Sequence, residues 1–236
     1  MADSGRNAVI TGATQGIGKA VAEKLLAHGF NIAVCARSES DLKQLSEAWQ
    51  ARYPDASIAA ITADFSDTEA VARFAMQVRQ RFSDIHMLVN NAGIFQPGDI
   101  ATEPDGQLEQ MMQVNLFAAY HLTRTLLPQM NAGAHIFNMC SVASLKAYPN
   151  GGAYGITKYA LMGFSENLRE ELKPRGIRVT ALCPGATWSR SWSGSGVHED
   201  RMMKATDVAD MLWAAYSLSN QADVETIIMR PLAGDL

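Results

Sequence analysis

AVITGATQGIG occupies residues 8–18. A short apolar run passes straight into a turn carrying Gly12, Gly16 and Gly18, and an amphipathic stretch follows. Three demands meet in such a stretch. A strand must turn sharply, its backbone must approach something closely, and a helix must pack against it. Glycine satisfies all three because it lacks Cβ. The helix that follows presents free N–H groups and the positive end of its dipole, which suits a phosphate. The spacing is not the usual G-x-G-x-x-G, and a glycine turn by itself is weak evidence for a nucleotide. Its setting in the chain has to decide.

That setting is a regular alternation. Short apolar runs read as strands at 8–11, 31–36, 57–62, 87–92, 135–140, 178–183 and 225–229. Helical patterns lie between them at 17–28, 40–52, 67–82, 107–127, 154–173 and 206–218. Strands without polar alternation are buried on both faces, as in a parallel sheet. Repeated strand–helix–strand units need right-handed crossovers and wind a sheet in both directions. The expectation is one α/β domain over residues 1–236, a doubly wound, Rossmann-type fold with a mostly parallel seven-stranded sheet. The irregular stretch ATWSRSWSGSGVHED (186–200) follows a strand and so lies at a carboxyl edge, where such sheets bind ligands. It predicts a substrate lid over 186–205.

Composition narrows the class. The chain has 236 residues and a formal net charge of −4, with no basic block. Neither nucleic acid nor an anionic membrane is an expected partner. The start, MADSGRNAVI, lacks a signal-peptide core, and no run approaches the ~18 apolar residues of a spanning helix. Cys35, Cys140 and Cys183 are widely spaced in apolar runs, with no metal-ligand spacing. They read as buried free thiols in a reducing, cytoplasmic setting.

SVASLKAYPNGGAYGITK (141–158) carries the chemistry. Tyr154 and Lys158 stand at i and i+4 and share a helix face. A free phenol, pKa ~10, is a poor acid–base group at neutral pH. An ammonium beside it favours the phenolate. Ser141 follows the fifth strand and suits a hydrogen bond to a substrate oxygen. Ser144 is too close to Tyr154 in sequence for that task, leaving it a supporting role or none.

The glycine turn, NNAG (90–93) and Ser–x12–Tyr–x3–Lys together resemble the short-chain dehydrogenase/reductase family, in its compact form. The resemblance spans almost the whole chain. It implies hydride transfer between a nicotinamide and a carbonyl or secondary alcohol, with Ser141, Tyr154, Lys158 and Asn115 as the catalytic group. Asn115 would hold a water linking Lys158 to solvent. A 3-oxoacyl thioester or small ketone is the default substrate implied, with diketones, sugars and pterins close behind. A homo-oligomer, preferably a tetramer, is implied too. Surplus apolar residues on the Tyr154 helix, Ile156, Tyr159, Ala160, Leu161, Met162 and Phe164, agree with that.

The cofactor site is expected from Gly12, Thr14, Gln15, Gly16, Ile17 and Gly18 in the turn, and Asn91, Ala92 and Gly93 after the fourth strand. Tyr154 and Lys158 belong to it as well, with Pro184, Gly185 and Thr187 covering the nicotinamide. Ser189 stands where the family's threonine usually is. Asp64 suits an adenine amino group or a helix N-cap, though Asp67 fits the cap better. The second strand ends at Ala36 without an acidic residue, and Arg37 and Ser38 follow. A carboxylate there would hold free ribose hydroxyls, whereas an arginine accommodates a 2′-phosphate. NADP(H) is therefore the expected cofactor. Two rivals stay open: an NAD(H)-dependent alcohol or sugar dehydrogenase, and a nucleotide-binding regulatory protein with weak catalysis.

Overall fold

The computed structural model describes residues 5–194 and 196–235. The outer ends of the expected 1–236 domain, residues 1–4 and Leu236, lie outside the described residues, as does Ser195 of the expected lid.

Seven strands among the described residues form one sheet. They are β1 (Arg6–Thr11), β2 (Phe30–Ala36), β3 (Ile58–Thr62), β4 (Met87–Asn90), β5 (His135–Met139), β6 (Arg178–Pro184) and β7 (Thr226–Met229). Their order is β3-β2-β1-β4-β5-β6-β7, and every pairing is parallel. The expected mostly parallel sheet is thus wholly parallel. Helices α1 (Gly16–Ala27), α2 (Glu39–Arg52), α3 (Thr68–Arg81), α4 (Gln107–Met112), α5 (Ala118–Leu126), α6 (Gly152–Leu172) and α7 (Ala205–Tyr216) flank it.

The layering follows from side-chain alternation along each strand. Val9 and Ala33 point to one layer, with Val71, Phe74, Ala75 and Val78 of α3 and Leu122 of α5. Ala8, Ile10, Ile32 and Val34 point to the other, with Val21, Ala22 and Leu25 of α1 and Val208 and Leu212 of α7. The buried residues of α3 recur at the i, i+3, i+4, i+7 spacing of a single apolar stripe. From β1 the chain works outward to β3, then returns to place β4 on the other side of β1. That reversal opens a crevice at the carboxyl ends of β1 and β4, where ligands bind in open α/β sheets.

The pattern at 107–127 predicts one unbroken helix. The structure interrupts it with a π-helical turn, Gln113–Phe117, between α4 and α5. The extra residue in that turn shifts the register of everything before it, and buried Asn115 sits at its centre. Such turns concentrate at functional sites. No helix among the described residues is long and apolar enough to cross a membrane.

Arg169 fixes where α6 lies. It is buried, and its guanidinium donates to Val179 O (2.9 Å) in β6 and to Glu225 O (2.6 Å) just before β7. Replacing Arg169 with Met keeps the apolar stem and strands both carbonyls. Urea denaturation of Arg169→Met should show a loss of about 1.5–3 kcal/mol, the scale of hydrogen bonds to a charged group.

Candidate active site

The glycine turn is packed to its limit. Gly12 has φ +69°, a left-handed conformation suited to glycine. A β-carbon on Gly18 would fall against the Gly12 carbonyl and 2.5 Å from Asn91 Nδ2. Asn91 Nδ2 donates to Thr11 O (2.8 Å) and Gly12 O (3.0 Å), so NNAG does fasten the glycine turn. Gln15 precedes α1 in an extended conformation without a side-chain cap, and the first turn of α1 holds no acidic residue. The helix therefore offers its N–H groups and positive dipole end to a ligand. A cradle without β-carbons beside an uncapped helix N-terminus fits a dinucleotide pyrophosphate. Thr14 and Ile17 are half-buried around this turn, as is Ala92 beside Gly12.

Thr11 holds the crevice together, a role its sequence setting does not signal. Its hydroxyl accepts from the backbone N–H of both Asn91 and Ala92 at 2.9 Å. One side chain at the end of β1 thus shapes the loop after β4.

The catalytic candidates gather at the next carboxyl edges. Ser141 follows β5 and opens a short 3-10 turn, Val142–Ser144, that packs on α6. Its Oγ accepts from Ala143 N–H (3.1 Å), which leaves the hydroxyl proton available to donate. Ser144 has the supporting role, since its Oγ accepts from Ser141 N–H (3.1 Å). Lys158 is 5% exposed, and its Nζ donates to Met139 O (2.8 Å), which leaves two of its three donors open. Nζ lies 5.6 Å from the Tyr154 ring centroid. Phe95, largely exposed, meets that ring edge-on with centroids 4.8 Å apart.

Asn115 is a stitch. Its Oδ1 accepts from Ile94 N–H (2.8 Å), and its Nδ2 donates to Ile94 O and Thr157 Oγ1, both at 3.0 Å. Thr157 in turn donates to Tyr154 O (2.8 Å). The side chain expected to hold a water is thus engaged with protein groups. It joins the loop after NNAG, the π turn and the Tyr154 helix. Glu103 adds a clamp from outside, accepting from Ala153 N–H (3.1 Å) at the start of α6.

Other expected ligands have partners of their own. Asp64 accepts from Ser66 N–H (2.9 Å) and the Ser66 hydroxyl (2.8 Å). Those bonds and the nearby Arg37 guanidinium hold its carboxyl below its ordinary range. Asp67, not Asp64, caps α3 through Glu69 N–H (2.8 Å). Ser38 caps α2, accepting from Asp41 N–H (3.2 Å). Arg37 is exposed and makes no hydrogen bond or ion pair among the described residues, which leaves its fork open to an anion. The Thr187 hydroxyl donates back to Gly185 O (3.0 Å) inside its own segment. Gly185 is close-packed, since its β-carbon would meet Pro231 at 3.1 Å. The base of the expected lid is closed by a bridge between Thr187 and Met203, and Trp188 and Trp192 within that stretch are half-buried.

The three cysteines are buried and unpaired. Burial pushes the Cys35 thiol up to about 12. A hydrogen bond with Cys140, reinforced by burial, keeps Cys183 protonated.

The sequence model of the short chain dehydrogenase family matches residues 6–197. The sepiapterin reductase of Chlorobaculum tepidum is 31% identical over 241 residues, covering 97% of both chains. An alcohol dehydrogenase from the archaeon Thermococcus sibiricus, solved with 5-hydroxy-NADP, superposes with a TM-score of 0.89 at 26% identity over 98% of each chain. A short chain dehydrogenase from Burkholderia cenocepacia in complex with NADP gives 0.87 at 26% identity, covering 97% of each.

Thr11→Val tests the crevice. It keeps the shape and removes the acceptor, which strands Ala92 N–H and leaves Asn91 N–H with Val89 O alone (3.0 Å). Urea unfolding should show a loss of about 1–3 kcal/mol, largely restored in Thr11→Ser.

Proposed function

The chain belongs to the short chain dehydrogenase family, and we propose that it interconverts a small carbonyl and its secondary alcohol with NADP(H). The observation that carries the reading is the Lys158 Nζ 5.6 Å from the Tyr154 ring, with the turn that Ser141 opens packed on the same helix. The site thus holds a free-donor serine, a half-buried phenol and a buried ammonium that has no carboxylate partner among the described residues. Arg37, open at the end of β2, favours a 2′-phosphate over free ribose hydroxyls. The NADP-complexed structural relatives agree with that preference.

The residues divide the work as follows. The glycine turn and the carboxyl edges of β1 and β4 would hold a nicotinamide dinucleotide, which would supply or take the hydride when bound. The Ser141 hydroxyl donates to the substrate oxygen and sets the carbonyl in place. Tyr154 passes its phenolic proton to that oxygen in reduction and takes it back in oxidation. The Lys158 ammonium stabilises the phenolate left behind, and its open donors suit ribose hydroxyls. Asn115 and Thr157 hold the start of α6 against the loop after β4, so the phenol keeps its position. Gly12, Gly16 and Gly18 would cradle the pyrophosphate, Asp64 would meet the adenine, and the Pro184–Thr187 segment would cover the nicotinamide.

Substrate choice falls to Phe95 and the lid. An aromatic ring against Tyr154 and two half-buried lid tryptophans favour a flat or apolar ketone over a sugar. Pterin-linked ketones, small diketones and 3-oxoacyl thioesters head the screen, the first because of the full-length likeness to a sepiapterin reductase. Tyr154→Phe should lower turnover on any accepted substrate by about a hundred- to ten-thousandfold. NADPH binding, followed by nucleotide fluorescence, should stay near the parent value. Near-parental turnover in that variant would remove Tyr154 from the mechanism.

The chain assembles with copies of itself in this reading. Ile156 and Tyr159 on α6 are exposed at 42% and 47%, beside Phe117 at 42% and Tyr120 at 38%. Leu161 and Met162 of the same helix are buried in the chain's own core. An apolar face of that kind on two adjacent helices suits a symmetric partner. Light scattering at micromolar concentration should report a mass near four chains, and a monomer mass would refute the assembly.

A further inference from the structure

One side chain of the stretch after β6 reaches back to the glycine turn and the start of α2. Arg190 opens a short turn, Arg190–Trp192. Its Nε donates to Gln15 Oε1 (3.0 Å), and its Nη2 donates to Asp41 Oδ2 (3.1 Å). Gln15 immediately precedes α1. Asp41 lies in the first turn of α2 with its N–H on Ser38. These anchors belong to the two strand–helix junctions that flank an adenosine ribose in a doubly wound fold. The adjoining Ser189 makes the same approach, since a β-carbon on Gly16 would stand 3.0 Å from its Cβ.

We propose that Arg190 is a cofactor-specificity residue that shares the 2′-phosphate of NADP(H) with Arg37. The inference rests on the NADP(H) reading above. Charge balance is the first argument. Arg37 acts on Asp64, and Glu39 and Asp41 stand in the first turn of α2, so one cation sits among three carboxylates. A phosphate dianion is poorly served there until Arg190 adds a second positive charge. Chemistry is the second. The guanidinium has further N–H donors beyond the two already in use, and its planar fork matches phosphate oxygens. Energetics is the third. The Arg190–Asp41 pair is 64% and 38% exposed, and a pair so exposed contributes little. Asp41 is a placeholder that a doubly charged phosphate displaces. The lid, joined to β6 near the nicotinamide, thereby reads the far end of the cofactor too.

Binding without turnover tests this. Calorimetric titrations would use NADPH and NADH, with 2′,5′-ADP and 5′-AMP as nicotinamide-free probes. The proteins are the parent chain, Arg190→Ala and Arg37→Ala. Arg190 is exposed, so its removal leaves the core intact. Arg190→Ala should weaken NADPH and 2′,5′-ADP by roughly ten- to a hundredfold while NADH and 5′-AMP stay within about twofold. Equal weakening of phosphorylated and unphosphorylated ligands would make Arg190 a lid latch and overturn the inference, as would no weakening at all. A parent chain that binds NADPH no better than NADH would instead overturn the NADP(H) reading, before any variant is compared.

Discussion

No β-carbon fits at residue 18. The Gly12 carbonyl and the Asn91 amide fill that space, and Asn91 spans from β4 to the end of β1 to do so. The close approach sets α1 against its strand, aims the helix N-terminus at the crevice and ties together the two strands that flank the reversal of strand order. Thr11 adds the second tie through two backbone N–H groups. Both ties act on the loop after β4. That loop leads to Ile94, which holds Asn115, which holds Thr157 on the helix of Tyr154 and Lys158. The glycine turn and the helix of Tyr154 and Lys158 are thus ends of one hydrogen-bonded chain.

The fold was legible because its signals are local. Each buried strand is a short apolar run, and each helix between them repeats at its own period. Tyr154 and Lys158 were legible for the same reason, being one helical turn apart. The π turn at Asn115 was not, because an extra residue in one helical turn leaves the apolar periodicity of 107–127 readable as a plain helix. Thr11, Glu103 and Arg190 were missed for a different reason. Their partners stand 80 to 81, 50 and 149 to 175 residues away, and no neighbouring residue type announces them. Polar side chains that bond distant backbone leave little trace in composition or period. Asp64 and Asp67 lay between these cases. Both suit a helix start, and only the geometry shows that Asp67 takes the cap while Asp64 forms its own turn with Ser66.

Lys158 is a buried lysine with no acidic partner among the described residues. Lys158 is almost wholly enclosed, yet its ammonium meets a backbone carbonyl and not a carboxylate. A carbonyl satisfies one donor and leaves the positive charge uncancelled. In the proposed mechanism that charge serves the negative charge that develops on the neighbouring phenol. A carboxylate in the same place would have given a more ordinary buried ion pair and less electrostatic help.

The bridge between Thr187 and Met203 has an evolutionary consequence. It draws the two ends of the lid together just beyond β6, with backbone bonds from Trp188 N–H to Met203 O and from Met203 N–H to Ala186 O. Residues between those points hang from a closed neck. Changes of length or composition there need not propagate into β6 on one side or α7 on the other. The neck lets the stretch between Thr187 and Met203 vary in length and composition with β6 and α7 left in place, so long as the contacts of Arg190 with Gln15 and Asp41 are kept or replaced.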